Sequence, residues 1–271
     1  MPELPEVETT RRGIAPYLLD QRIRAVTVRD GRLRWPVPQK LPAILAGAVV
    51  TGVRRRAKYL LIDTDRGTLI VHLGMSGSLR VVDAGAAPRK HDHVDLVLDS
   101  GDCLRLRDPR RFGCVLWCPG DALAHPLLAG LGPEPLSAAF DGELLYRRSR
   151  GRRVAVKSFI MNGRVVAGVG NIYANEALYR SGIHPARACG RISRVRYGRL
   201  ASALKETLEQ AIEAGGTTLR DFRGSDGEPG YFFTQLNAYD RAGAMCAGCG
   251  GTLRRMVIAQ RASFFCSRCQ R

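Results

Sequence analysis

The sequence predicts an α+β fold whose two halves differ in texture. Between Ile23 and Trp117, short apolar or alternating runs are separated by turn residues, which is typical of an antiparallel sandwich or barrel. After a glycine- and proline-rich stretch at 130–135, the apolar spacing becomes helical, and a small cysteine module ends the sequence. We therefore expect a β-rich N-terminal domain followed by helices and the cysteine module.

The first helix is predicted from its start signals. Pro5 lies near the first helical position, Glu6 and Glu8 occupy the first turn, and Arg11 and Arg12 follow, as the helix dipole prefers. Eight short runs then predict strands. They are residues 23–28, 49–53, 59–63, 68–73, 78–82, 94–98, 103–106 and 114–117.

Two helices are predicted in the second half. Asn171 can cap a helix that runs to about Ser181 and stops at Gly182. A second helix is indicated by a stripe of large apolar residues at helical spacing, which we interpret as core packing. The stripe consists of Leu200, Leu204, Leu208 and Ile212.

The charge balance points to a polyanionic partner. The 271 residues include 42 Lys and Arg against 25 Asp and Glu, a formal net charge of +17, and only five of the basic residues are lysine. Nucleic acid is the first candidate partner and a membrane surface the second. A basic surface without a specific partner is the alternative.

Composition also indicates the compartment in which the protein is expected. No run of about 18 apolar residues is present, so no membrane span is expected. The N-terminus is acidic and lacks the apolar core of a signal peptide. Eight cysteines are too few for a disulfide scaffold in a chain of this length, so we expect a reducing, cytoplasmic compartment. No pattern indicates an oligomer, and we expect a monomer.

Four cysteines have the spacing of a zinc site. Cys246 and Cys249 are followed, after sixteen residues, by Cys266 and Cys269. Zinc takes four tetrahedral thiolates, and each two-residue gap lets one tight turn supply two of them. We expect one structural Zn²⁺ with no open position for a catalytic water. Two disulfides are the alternative.

The start of the chain, Met1-Pro2-Glu3, offers unusual chemistry. Once Met1 is removed, Pro2 presents a secondary amine, which can attack a sugar aldehyde carbon and form an iminium ion. Glu3 could move protons beside it. The alternative is that Pro2 and Pro5 only stiffen the approach to the first helix.

Three other segments carry candidate functional residues. Gly170 and Asn171 lie at a predicted helix start, where free N–H groups can bind an anion. The turn 108–113 places two arginines beside Phe112, which suits phosphate contact and a wedge between bases, or a solvated turn with Phe112 in the core. His91 and His93 are either strand-edge polar residues or metal ligands that lack an evident third partner.

Seven segments, in order along nearly the whole chain, match the motifs of a known family. They are PELPEVE at 2–8, RRAKYL at 55–60, HLGMSG at 72–77, KHDHVD at 90–95, DPRRFG at 108–113, VGNIY at 169–173, and the cysteine module with its QRA at 260–262. On these residues the sequence resembles formamidopyrimidine-DNA glycosylase, the bacterial base-excision repair enzyme for oxidised purines.

The resemblance implies an N-terminal β-sandwich with flanking helices, a C-terminal helix–two-turn–helix domain and a four-cysteine zinc finger. It also implies that double-stranded DNA with oxidised bases or abasic sites binds across the cleft between them. We expect a catalytic sandwich domain at 1–132, a linker at 133–150, the helix–two-turn–helix domain at 151–235 and the zinc finger at 236–271. The loop at 224–231 resembles the family's base-capping loop.

The resemblance also implies glycosylase and AP lyase chemistry on a flipped-out nucleotide. Pro2 would form a Schiff base at C1′ while Glu3 handles protons at the sugar, and Lys58 and Arg261 would assist β- and δ-elimination. The implied substrates are 8-oxoguanine and formamidopyrimidines. The residues that match DNA-contacting positions are Met75, His91, Arg110, Phe112, Arg152, Lys157 and Asn171, and Arg152 takes the place of a family lysine.

Two other functions stay open. Endonuclease VIII, the sister class for oxidised pyrimidines, also begins with proline and glutamate, but Leu4, the Met75 segment and the 108–113 turn favour the purine branch. A non-enzymatic zinc-ribbon DNA-binding protein would share the charge and the cysteines, but it would not need Pro2, Glu3 or Lys58.

Overall fold

The structure is a computed structural model that describes residues 2–216 and 232–271. These residues divide into two compact units. The N-terminal unit contains residues 2–129, 214–216 and 232–233, and the C-terminal unit contains residues 130–213 and 234–271. The predicted loop at 224–231 lies outside the described residues, and the predicted four-part division of the chain stays a prediction.

Two helices and eight strands form the N-terminal unit. All eight predicted strands are present, with ends shifted by at most three residues. The helices are α1 (Leu4–Leu18) and α2 (Leu41–Leu45), and the strands are β1 (Ile23–Val28), β2 (Val50–Arg56), β3 (Tyr59–Thr64), β4 (Gly67–His72), β5 (Ser78–Asp83), β6 (Asp92–Leu98), β7 (Asp102–Arg107) and β8 (Cys114–Cys118).

The strands form two four-stranded antiparallel sheets, ordered β1-β6-β7-β5 and β2-β3-β4-β8. Alternate residues of each sheet enter one buried apolar cluster, as the period of two in the sequence requires. Helix α1 contributes Val7, Ile14 and Leu18 to the same cluster. The start of α1 is therefore attached to the sandwich by core packing.

The C-terminal unit combines four helices with a hairpin. Their bounds are α3 (Gly142–Ser149), α4 (Val156–Ile160), α5 (Asn171–Arg180), α6 (Arg194–Glu213), β9 (Leu253–Ile258) and β10 (Arg261–Cys266). Helices α3 and α6 cross where Gly142 meets the backbone of Gly198, and a side chain at Gly142 would collide with that backbone. No helix among the described residues is both long and apolar enough to cross a membrane.

One predicted helix start needs correction. Asn171 is the first residue of α5, and Gly170 is the N-cap. Gly170 takes the extended conformation that an N-cap needs, so Asn171 already has helical geometry. The side-chain oxygen of Asn171 has no hydrogen-bond partner among the described residues. Asn171 still lies at the positive end of the helix dipole.

A buried carboxylate attaches α5 to the segment that leads into the hairpin. The side chain of Glu176 is fully buried and accepts hydrogen bonds from the backbone N–H groups of Asn237, Ala238 and Tyr239 at 2.8–2.9 Å. Three charge-assisted bonds to one buried group make this a strong connection inside the unit.

We predict that Glu176→Gln lowers the free energy of unfolding by about 1–3 kcal/mol, because an amide replaces one acceptor oxygen with a donor that faces N–H groups. Urea unfolding followed by circular dichroism measures the loss. Glu209→Gln, at an exposed position of α6, is the matched control. Equal stability of the two variants would contradict the structural role of Glu176.

Candidate active site and nucleic-acid interface

The start of the chain is held by a reciprocal cap on α1. Glu3 is the N-cap, its side chain accepts a hydrogen bond from the backbone N–H of Glu6, and the Glu6 carboxylate accepts the N–H of Glu3 at 2.9 Å. Both carboxylates and Pro2 are buried. The cap fixes the backbone of residue 3, and so the position of residue 2 directly before it.

An ion pair connects α1 to the turn that carries Lys58. Arg55 Nε lies 3.1 Å from Glu8 Oε2, and Arg55 Nη1 donates to the carbonyl of Ala57 at 3.0 Å. Burial alone would raise the pKa of Glu8, but hydrogen bonds from Arg11 and Arg12 and nearby positive charge lower it below its usual value. Glu8 is therefore ionised at neutral pH, and α1 and the Lys58 turn are held together.

Strained backbone is concentrated beside the predicted site residues. Non-glycine residues with a positive φ are uncommon and cluster at functional sites. Seven occur among the described residues, and five of them are predicted site residues or lie within two positions of one. These five are Ala57 beside Lys58, His91, Arg111 between Arg110 and Phe112, and Ala259 and Gln260 before Arg261.

Two neighbouring turns of the N-terminal unit expose large apolar side chains. Met75 is 36% exposed and Phe112 is 44% exposed, so Phe112 is not a core residue. Both line a cavity of about 550 Å³, together with Gly74 and Arg111. The guanidinium of Arg110 lies 4.8 Å from the Phe112 ring centroid. An exposed apolar pair beside a cation is suited to contact with unstacked bases.

Asp108 holds these two turns together. Its fully buried carboxylate accepts hydrogen bonds from the Ser76 hydroxyl at 3.0 Å and from the backbone N–H of Gly113 at 2.8 Å. The Ser76 hydroxyl oxygen in turn accepts the backbone N–H of Arg110 at 3.2 Å. Met75 is adjacent to Ser76, so Asp108 sets the spacing between Met75 and the Arg110 turn.

His72 belongs to the same site, although it was not among the predicted site residues. Burial first, and then the charges of Lys58 and Arg34, lower the pKa of His72 to about 4. Its Nδ1 accepts the backbone N–H of Gly74 at 2.9 Å, so the neutral ring carries its proton on Nε2. His72 lines the Met75 cavity and can donate one neutral hydrogen bond there. Its sequence signals were its place at the end of β4 and at the start of the HLGMSG segment.

The other predicted DNA contacts lie in the C-terminal unit, except His91, which directly precedes β6. Arg152 is exposed, and its guanidinium lies 6.0 Å from the Phe159 ring centroid. Arg261 is exposed at the start of β10. Lys157 differs from both, because it is 1% exposed and its ammonium donates to the Ala262 carbonyl at 2.6 Å and to the Ser263 hydroxyl at 2.7 Å. Lys157 therefore supports the β9–β10 hairpin next to Arg261.

Asn175, which the sequence reasoning missed, joins α5 to the same hairpin. Its side chain is 1% exposed. Its amide group donates to the Asn171 carbonyl at 2.6 Å, and its amide oxygen accepts the backbone N–H of Phe264 at 2.8 Å. One buried side chain thus fixes the helix start at Asn171 relative to the strand that begins with Arg261.

The four cysteines fit a zinc ion. Their Sγ atoms all lie within 4.8 Å of one another, with Cys246 and Cys269 at 3.8 Å and Cys249 and Cys266 at 3.5 Å. A tetrahedron with Zn–S bonds of about 2.3 Å has edges of about 3.8 Å. Zinc would link the two ends of the hairpin, and the Tyr179 hydroxyl, 3.1 Å from Cys246 Sγ, would donate to that thiolate.

Comparison with known proteins defines the class. Family models match residues 1–115 as a formamidopyrimidine-DNA glycosylase N-terminal domain, residues 131–223 as the helix–two-turn–helix domain of that enzyme, and residues 246–271 as a zinc finger found in it and in isoleucyl-tRNA synthetase. All three parts of a two-unit DNA-repair glycosylase are therefore present, in the expected order.

Full-length relatives give the family. A formamidopyrimidine-DNA glycosylase of Methylococcus capsulatus is 62% identical, with both chains completely covered. The Lactococcus lactis enzyme, solved as a mutant with DNA containing Fapy-dG and also with DNA containing an abasic site, superposes with TM-scores of 0.93 and 0.92 at 31% identity over all of both chains. The chain belongs to the formamidopyrimidine-DNA glycosylase family. The predicted fold class, enzyme class and structural zinc are confirmed.

We predict that Asn175→Ala lowers the free energy of unfolding by about 1–3 kcal/mol, because the buried N–H of Phe264 loses its acceptor. Amide hydrogen exchange at Phe264 should also become faster. Gln210→Ala, which removes an exposed amide from the same unit, is the control. Unchanged exchange at Phe264 would show that Asn175 does not hold the hairpin.

Proposed function

We propose that this enzyme excises oxidised purines from duplex DNA through the amine of Pro2 and then cleaves the strand at the resulting abasic site. The observation that carries the proposal is the buried, capped start of α1, which fixes residue 2 beside Glu3. The Lactococcus lactis relative with Fapy-dG DNA and with abasic-site DNA supports the same substrates for this chain.

The proposed nucleophile requires removal of Met1. The secondary amine of Pro2 must be unprotonated to attack, and the positive end of the α1 dipole disfavours the ammonium form. Attack on C1′ forms a C–N bond as the bond between C1′ and the base breaks. Glu3, fixed by its cap, is placed to move a proton at the sugar while the ring opens.

The iminium ion then drives two eliminations. It acidifies the C2′ hydrogen, and loss of that proton breaks the C3′–O bond and releases the 3′-phosphate. A second elimination releases the 5′-phosphate and leaves a gap in the strand. We assign Lys58 to the first elimination. A guanidinium group is a poor proton donor, so we assign Arg261 electrostatic stabilisation of the departing phosphate.

A base inside a duplex must be extruded before Pro2 can reach C1′. We propose that Met75 and Phe112 enter the stack and that Arg110 contacts the orphaned partner base. Their exposure, and their attachment to one buried Asp108, support this role. A side chain that enters the stack must be apolar and held in a fixed position, because unstacking one base step costs a few kcal/mol.

Phosphate contacts complete the proposed interface. We propose that His91, Arg152 and Asn171 contact the DNA backbone directly. Lys157 acts on DNA through the hairpin, because its ammonium is buried against Ala262 and Ser263. We further propose that the enzyme acts as a monomer in the bacterial cytoplasm, in keeping with its bacterial relatives.

We predict that Pro2→Gly lowers borohydride trapping on DNA containing 8-oxoguanine by more than about hundredfold, because a primary amine replaces the secondary one. Pro16→Gly, within α1 but away from its start, is the control for proline removal. Gel mobility of the protein–DNA adduct measures the effect. Undiminished trapping by Pro2→Gly would show that the secondary amine of Pro2 is not required for the covalent step.

The lesion preference is tested separately. Matched duplexes carrying 8-oxoguanine opposite cytosine, or thymine glycol, should be cleaved with a strong preference for the purine lesion under single-turnover conditions. A preference for thymine glycol would place the enzyme with the endonuclease VIII class. Binding without cleavage of either duplex would favour a non-enzymatic DNA-binding protein.

A further inference from the structure

A basic pocket lies on the outer face of the β1-β6-β7-β5 sheet. Leu79, Leu104 and Leu106 of β5 and β7 point into the core, so the alternating residues Arg80 and Arg105 face outward. With Arg107 of β7 and Arg89 of the loop before β6, these arginines line a cavity of about 470 Å³. None of them is among the residues assigned to the reaction above.

The sheet register brings like charges together. Arg80 is directly opposite Arg105, and Arg107 is the diagonal neighbour of Arg80 on the adjacent strand. Like charges directly opposite each other destabilise a sheet. Three guanidinium groups on adjacent positions of two strands therefore favour a bound anion.

The carboxylates near the pocket offset only part of this charge. Asp95 accepts two hydrogen bonds from Arg105, at 2.9 and 2.8 Å, but it also accepts one from Arg29 at 2.6 Å. Among the described residues, Asp92 is the only acidic residue that lines the cavity, and it lies 3.8 Å from Arg105. Among the described residues, Arg89 and Arg107 form no ion pair with a carboxylate.

Hydrogen bonds within the protein hold the walls of this pocket in place. Arg105 is buried and donates to the carbonyls of Ala86 at 3.0 Å and Ala87 at 3.3 Å, which fixes the loop over the strand. The Asp92 carboxylate accepts the backbone N–H of Arg89 at 2.7 Å. Fixed walls reduce the ordering entropy that binding would otherwise cost.

We propose that this pocket binds a phosphate group. Planar guanidinium forks match phosphate oxygens two at a time. Arg89 and Arg107 offer such forks, while Arg105, which is paired with Asp95, holds the pocket wall. The phosphate is supplied by the DNA backbone away from the lesion or by a free nucleotide. The DNA backbone is favoured because the pocket adjoins two proposed DNA contacts. His91 directly precedes Asp92, and Arg107 directly precedes the 108–113 turn. In that form the inference rests on the proposed function.

The test compares Arg89→Ala/Arg107→Ala with Arg24→Ala/Lys40→Ala, which removes the same charge at two exposed positions of the same unit. One arm measures affinity for an undamaged duplex of about 30 base pairs across a salt series. The other arm titrates inorganic pyrophosphate and follows the amide resonances of residues 84–92. Neither arm requires base excision, so failure of the pocket and failure of the glycosylase proposal are distinguishable.

If DNA supplies the phosphate, Arg89→Ala/Arg107→Ala, the pocket variant, binds the duplex about tenfold more weakly than the control. The slope of its log affinity against log salt concentration also falls in magnitude by about one or two. If a nucleotide supplies it, pyrophosphate shifts the loop resonances of the wild type but not of the pocket variant, while duplex affinity equals that of the control. Arg89→Glu/Arg107→Glu should enlarge either effect. Equal behaviour of pocket and control variants in both arms overturns the proposal.

Discussion

The ion pair between Glu8 and Arg55 is the constraint on which the proposed active site depends. It joins the helix whose start positions Pro2 to the turn that presents Lys58, two elements far apart in sequence. The lowered pKa of Glu8 implies that this contribution to stability is present above its ordinary value of 4.5 and is lost as the pH falls below it. The positions of Pro2, the proposed nucleophile, and of Lys58 thus depend on a carboxylate to which we assign no step of the reaction.

The two units use the same design. Each fixes a turn or hairpin that carries proposed functional side chains with buried polar groups. Asp108 does this for the Met75 and Arg110 turns, and Asn175 and Lys157 do it for the hairpin that carries Arg261. A buried polar group with all its partners rigidifies its surroundings, whereas an apolar core alone fixes position less specifically.

The sequence predicts those structural features that neighbouring residues specify. Alternation located all eight strands of the sandwich, and two CxxC pairs located the zinc site. It did not reveal Asp108 or Asn175 as supports, because one partner of each, Ser76 and Phe264, lies 32 and 89 residues away along the chain. Residue type alone also could not show that Lys157 is buried against the hairpin, and its DNA contact stays a prediction. Phe112 is the opposite case, an aromatic residue whose exposure supports its proposed role as a wedge.

The most direct test of the central claim is the site of the covalent bond to DNA. The enzyme, reduced with borohydride on an 8-oxoguanine duplex, is digested with nuclease and protease, and its peptides are sequenced by tandem mass spectrometry. We expect a mature N-terminal peptide that begins at Pro2 and carries the reduced sugar remnant on its amine. A remnant on Lys58, or a trapped enzyme that still begins with Met1, would contradict it.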